Sequence, residues 1–151
     1  MKPSTLLDET RVEGHIAAGT PKEDVIRRLV TLATDGDADR ARALSENLVA
    51  REKVMTTGIG RGVAVPHVRS ALVEKPVAAL GISREGVEWD AVDGEPVHII
   101  VTFITPESDA ALHVKILGET ATLFGDEGVR REVIDAGTAA EALEIMRRHG
   151  G

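Results

Sequence analysis

The chain contains no cysteine and no tyrosine, and its aromatic side chains are only Trp89, Phe103 and Phe124. Without cysteine there is neither a disulfide framework nor a thiolate metal site. So few aromatic faces leave little on which nucleic-acid bases could stack. A formal net charge of −7 argues further against a nucleic-acid binder. No apolar run has the length of a membrane span, so direct membrane insertion is not expected. Residues 1–8 lack the apolar stretch of a secretory signal, which leaves the cytoplasm as the expected compartment.

What is present is ordinary for a globular domain: 42% hydrophobic and 28% charged residues in a chain of 151. That length suits a single domain, residues 1–151, with a core built from Val, Leu, Ile and Ala. The charge is unevenly placed. Residues 1–75 carry 12 Lys/Arg against 11 Asp/Glu, and residues 76–151 carry 6 against 14. The basic residues thus favour the half that holds the chain's least ordinary segment.

That segment, residues 57–67, reads Thr-Gly-Ile-Gly-Arg-Gly-Val-Ala-Val-Pro-His. Gly58, Gly60 and Gly62 permit positive φ and a close approach of backbone N–H groups to an anion. Pro66 fixes its own φ and biases Val65 toward an extended shape, so a short strand near 62–66 ends on one imidazole, His67. A histidine held this way is a candidate nucleophile. Arg51, Lys53, Arg61 and Arg69 bracket it. His98 opens an apolar strand and reads as structural, and His15 and His149 have no supporting context. Two histidines without a placed carboxylate make a poor metal site, so neither a metal nor any other cofactor is expected.

The pattern elsewhere alternates strands and helices. Residues 10–16 read as a strand. Thr20 as N-cap, Pro21 at the first position and Glu23 closing a capping box open a helix ended by Gly36. Val25, Leu29, Val30, Leu32 and Ala33 form its apolar face. A second helix runs from about Asp37 to Val49 or slightly beyond, with Arg51 at or just after its end, where the helix dipole favours a cation. Strands follow at 78–83 and at 87–89, the latter a short edge beyond a turn at Gly86. Residues 97–104 are apolar almost throughout, as in a central strand covered on both faces. Thr105 and Pro106 read as the start of a helix to Phe124. Two further helices follow, Gly128 to Ala136 and, behind the capping box Thr138–Glu141, one to about Arg148. The fold class expected is α/β: one layered domain, a central mixed sheet covered by helices.

Residues 51–67 as a whole resemble the signature of the fructose/mannitol-type (type 2) IIA domains of the bacterial phosphoenolpyruvate:sugar phosphotransferase system, a family that includes the nitrogen-regulatory IIA proteins. The resemblance covers nearly the whole chain. It implies that His67 is the phosphoryl acceptor and that His113, 46 positions later, is the second active-site histidine. It implies that Arg51, 16 positions earlier, is the active-site arginine. Thr57, Gly58, Gly60 and Gly62 would surround the phosphoryl group. The implied donor is an HPr-like phosphocarrier protein. The implied acceptor is a IIB domain serving sugar uptake, or, in the regulatory alternative, target proteins whose binding follows the phosphorylation state. Two positions depart from the family pattern. Val68 stands where a small residue is usual and is expected to narrow the space beside the imidazole. Arg61 stands where an uncharged polar residue, often asparagine, is usual.

Overall fold

The computed structural model describes residues 1–151. Two 3₁₀ turns, Pro3–Leu6 and Glu9–Arg11, lead into β1 (Val12–Glu13), α1 (Lys22–Ala33) and α2 (Ala38–Val54). β2 (Gly58–Gly60), β3 (Val63–Ala64) and β4 (His67–Ser70) follow in quick succession. β5 (Val77–Val87) and β6 (Val97–Pro106) are the long strands, and α3 (Ala110–Phe124), α4 (Glu127–Asp135) and α5 (Ala139–Arg148) complete the chain.

The sheet is mixed, with strand order β1-β5-β6-β3-β2 and β4 also pairing with β6. β5 and β6 run antiparallel; β3 and β4 lie one after the other along the opposite edge of β6, both parallel to it. β6 is therefore central, and its side chains divide between two cores as period-2 alternation requires. Ile100 and Ile104 join α1 and α2 on one face, with Trp89 fully buried beside them, and Val97, next to the irregularity in the β5 pairing, joins that core out of phase. Ile99, Val101 and Phe103 join the packing of α3, α4 and α5 on the other. A strand apolar on both faces is what two helical layers demand.

Helix starts follow side-chain chemistry in four of five cases. Asp37, Asp109, Asp126 and Thr138 each accept a hydrogen bond from a backbone N–H of the first turn at 3.0–3.1 Å. Such a cap contributes about 1 kcal/mol. α1 is the exception. It starts at Lys22, behind an extended Pro21 that has no side-chain acceptor, so Thr20 is not its cap. Of the expected strand at 10–16, only Val12–Glu13 pairs with β5; residues 10–11 end a 3₁₀ turn and residues 14–16 belong to no regular element. α2 continues to Val54, which places Arg51 inside its last turn. Gly86, at φ +92°, does not separate two strands. It sits in an irregularity within β5 and keeps the strand paired to β6 as far as Val87.

The largest departure concerns Thr105. β6 runs through Pro106, the cap of α3 is Asp109, and the buried Thr105 hydroxyl is free for another partner. Its neighbour across that turn is a histidine.

Candidate functional site

His67 opens β4, directly beside Phe103 of β6 in the register of the two strands. Its ring stacks on the Phe103 ring at a centroid distance of 5.3 Å and an interplanar angle of 13°. Strand alternation puts Arg69 on the same side as His67 and sends Val68 to the other face, into the core under α1 and α2. Val68 therefore does not narrow the space beside the imidazole; a β-branched residue there serves the opposite core.

The Nδ1 atom of His67 lies 2.6 Å from the carbonyl oxygen of Val65. A carbonyl can only accept, so Nδ1 carries the proton and Nε2 keeps its lone pair. Nε2 has no protein partner and is not sealed from solvent. Burial above all holds the pKa of His67 below the ordinary imidazole range, and the Arg51 charge adds to the effect. The Val65 carbonyl works in the opposite sense. The ring is neutral at neutral pH.

His113 projects from the first turn of α3 and meets both rings, at 5.1 Å from His67 and 5.2 Å from Phe103. Its Nδ1 is 2.7 Å from Thr105 Oγ1. Burial, then the charges of His67, Arg69 and Arg51, push its pKa down to about 4. Thr105 is the site residue the sequence reading missed, because Thr-Pro ahead of a helical pattern is also what an N-cap looks like.

Arg51, Arg69, His113, Glu107, Ala110 and Val114 line an open pocket of about 370 Å³. The sequence separation of Arg51, Arg69 and His113 is thus closed by three different elements: the last turn of α2, the outer face of β4 and the first turn of α3. Two guanidinium groups beside the His113 imidazole, with the His67 ring next to it, suit an anion with several oxygens, since each guanidinium can donate two parallel hydrogen bonds. Arg61 is elsewhere; its guanidinium reaches toward the Gly125 carbonyl at 3.5 Å.

The glycine segment also differs from the expected anion cradle. Three of its amides already have acceptors within the protein. Thr57 N–H donates to Glu52, Gly58 N–H to Thr56 Oγ1 and Arg61 N–H to Asp93 Oδ2. Gly60 and Gly62, both at positive φ, turn β2 into β3 and face Asp93 and His98. Thr57, Gly58, Gly60 and Gly62 thus form a hairpin ahead of the strand that leads to His67, and none of them lines the pocket of Arg51, Arg69 and His113. His98 is structural, its Nδ1 within 2.9 Å of the Ser83 carbonyl. No group of three or more metal-binding side chains occurs in the structure, and no helix is long and apolar enough to cross a membrane.

Known proteins share this arrangement of chain and fold. The chain is 31% identical over 150 residues to the fructose-specific EIIABC component of the phosphotransferase system of Bacillus subtilis, covering 99% of this chain but only 24% of that protein. It is 33% identical to a nitrogen regulatory protein of Pseudomonas aeruginosa, over 85% of this chain and 84% of that one. The solved structure of the nitrogen regulatory protein IIA-Ntr from Neisseria meningitidis superposes with a TM-score of 0.84 at 29% identity, covering 95% of this chain and 97% of that one. The family model described as the phosphoenolpyruvate-dependent sugar phosphotransferase system, EIIA 2, matches residues 5–149, and the chain belongs to that family.

Proposed function

We propose that His67 Nε2 accepts a phosphoryl group from the phosphohistidine of an HPr-like carrier and hands it on to a IIB domain. The observation that carries this reading is the Val65 carbonyl on Nδ1, which leaves a neutral ring with its lone pair on the accessible nitrogen. In the transfer, that lone pair forms the new N–P bond. The donor's N–P bond breaks, and its electron pair returns to the donor imidazole. As His67 takes up positive charge, the Val65 carbonyl stabilises the Nδ1–H. The transition state is loose, with charge spread over the phosphoryl oxygens, so the work left to the protein is positioning and electrostatics. Arg51 and Arg69 would hold those oxygens, and His113 would donate to one of them from Nε2–H. The reaction needs no metal or other cofactor in this scheme.

A second reading has its own support: the chain covers a nitrogen regulatory protein almost end to end, at 33% identity. In that reading the same phosphohistidine is a signal. A phosphoryl group adds about −1.5 to −2 charge, and here it would enter a pocket that already holds Arg51 and Arg69. Partner choice would then change at the surface without refolding.

Incubation with phosphoenolpyruvate, the first enzyme of the system and its matching HPr tests the chemistry. One acid-labile, base-stable phosphoryl group is expected, and His67→Ala should abolish it. Labelling of His67→Ala to the same stoichiometry would overturn the assignment. Onward transfer to a IIB domain separates the carrier from the regulator.

A further inference from the structure

Glu52 is the most deeply buried carboxylate outside the pocket, its side chain only 1% exposed. It does not cap its own helix. Its two oxygens accept from the Thr57 backbone N–H at 3.1 Å each and from Thr57 Oγ1 at 2.6 Å. Lys22 Nζ, 3.3 Å away, supplies the counter-charge and also donates to the Trp89 carbonyl. Trp89 Nε1–H donates to Thr57 Oγ1 at 3.3 Å. One buried charge is thus committed to fixing one residue, Thr57.

Thr57 is in turn the anchor of Val65. The Val65 N–H donates to the Thr57 carbonyl at 3.0 Å. Val65 and Pro66 lie in the gap between β3 and β4, where neither belongs to a strand ladder. Pro66 has no N–H to donate, and its carbonyl accepts from the Phe103 N–H of β6 at 3.2 Å. The Val65 carbonyl, and with it the Nδ1–H bond of His67, is therefore placed between two holds, Thr57 on its own N–H and β6 on the Pro66 carbonyl.

We propose that Glu52 is a positioning residue for His67. Through Thr57 and Val65 it holds the carbonyl that fixes the imidazole tautomer and keeps Nε2 as the nucleophilic atom. The proposal rests on His67 being the phosphoryl acceptor, but its first observable does not require any transfer. Arg51 is the next residue toward the N-terminus on the same helical turn, so a carboxylate locked into the interior also fixes the end of α2 that carries the guanidinium. Neutral glutamine has the right shape but can accept at one atom only. Its NH₂ must face Lys22 Nζ or the Thr57 donors, so at least one hold on Thr57 is lost.

The experiment compares wild type, Glu52→Gln and Glu52→Leu. The ¹H–¹⁵N imidazole correlations of the unphosphorylated proteins are recorded, along with the rate and apparent KM of phosphoryl acceptance from phospho-HPr. Wild type should show His67 wholly as the Nδ1–H form. Both variants should show a mixture with the Nε2–H form. Their acceptance rates should fall by between about 10-fold and about 100-fold at unchanged KM, as for a slightly misplaced reacting group. Lys22→Met combined with Glu52→Gln, which removes the stranded cation, should recover stability without recovering the rate. If Glu52→Leu does not fold, Glu52→Gln decides. A His67 that remains fully Nδ1–H in folded Glu52→Gln, with acceptance within twofold of wild type, would overturn the proposal. Failure of wild type to be phosphorylated would instead sink the carrier reading, and the tautomer measurement would still decide the role of Glu52.

Discussion

Replacing Thr105 by valine removes one hydroxyl from a fully buried position and changes almost no volume. In the native protein that hydroxyl is bonded to His113 Nδ1 at 2.7 Å. Loss of an ordinary hydrogen bond costs about 1 kcal/mol, and leaving a buried partner unsatisfied costs up to about 3 kcal/mol. His113 is only half-buried, so water can meet part of the ring's need and the lower end applies, about 1–2 kcal/mol. For a chain of this size each kcal/mol lowers Tm by about 2–4 °C. The functional effect should be larger than the structural one. With its Nδ1 released, His113 no longer holds its place over His67, and a lost donor to the phosphoryl group costs about 10²–10³-fold at most. A drop of about 10–100-fold in phosphoryl transfer is expected, while Thr105→Ser, which keeps the hydroxyl, should stay near wild type. The assay pairs denaturant unfolding with rapid-quench phosphoryl transfer from phospho-HPr. Thr105→Val with unaltered His113 imidazole resonances and a wild-type rate would refute the role given to this hydroxyl.

The two imidazoles should titrate below an ordinary histidine in the free protein, His113 with a midpoint of about 4, followed by NMR. Since the unfolded chain binds these protons first, stability is fully present above about pH 6.5 and declines as the pH falls through the folded values. Phosphorylation should raise the His113 midpoint, and a midpoint near 6.5 in the free protein would contradict the packing described. Arg61 is held at φ +58°, a conformation that costs a β-carbon-bearing residue about 1–2 kcal/mol and that asparagine tolerates better. Arg61→Asn should therefore stabilise by roughly 0.5–1 kcal/mol in urea unfolding and leave phosphoryl acceptance unchanged; destabilisation would mean that the contact with the Gly125 carbonyl outweighs the backbone strain.

Much of the architecture was legible because single residues carried it. The apolar run of 97–104 could be buried on both faces only in the middle of a sheet, and it is. Thr138 and Glu141 marked the start of α5 correctly, although the Glu141 carboxylate takes the N–H of Gly137, one residue earlier than the pattern implies. Local signals failed where two structures share one signal. Thr-Pro at 105–106 fits a helix start and equally a strand end, and only the pairing of Pro106 with Ser70 decides for the strand. Thr20-Pro21 has the same ambiguity, and there the extended proline itself precedes the helix. Gly86 likewise reads as a turn when its neighbours in the sheet are unknown.

The site was legible as a set of residues but not as a division of labour. The family resemblance singled out His67, His113 and Arg51, yet it could not say that Nδ1 of one histidine meets a carbonyl and Nδ1 of the other meets a hydroxyl. That difference governs the chemistry. A carbonyl only accepts, so His67 is confined to the tautomer that leaves Nε2 unprotonated, the nitrogen the proposed chemistry would use. A hydroxyl both donates and accepts, so Thr105 can donate to Nδ1 of a His113 whose proton is on Nε2, the tautomer that the proposed chemistry uses to donate to a phosphoryl oxygen. The glycines, which looked like the anion site, are part of the means. They let β2 and β3 fold tightly enough for Thr57 to reach Val65, and in the proposed chemistry Arg51 and Arg69 would hold the anion. A glycine-rich loop ahead of a histidine signals an anion when its amides are free; here the amides of Thr57, Gly58 and Arg61 end on Glu52, Thr56 and Asp93. The segment's chemistry is therefore exerted through the placement of one carbonyl.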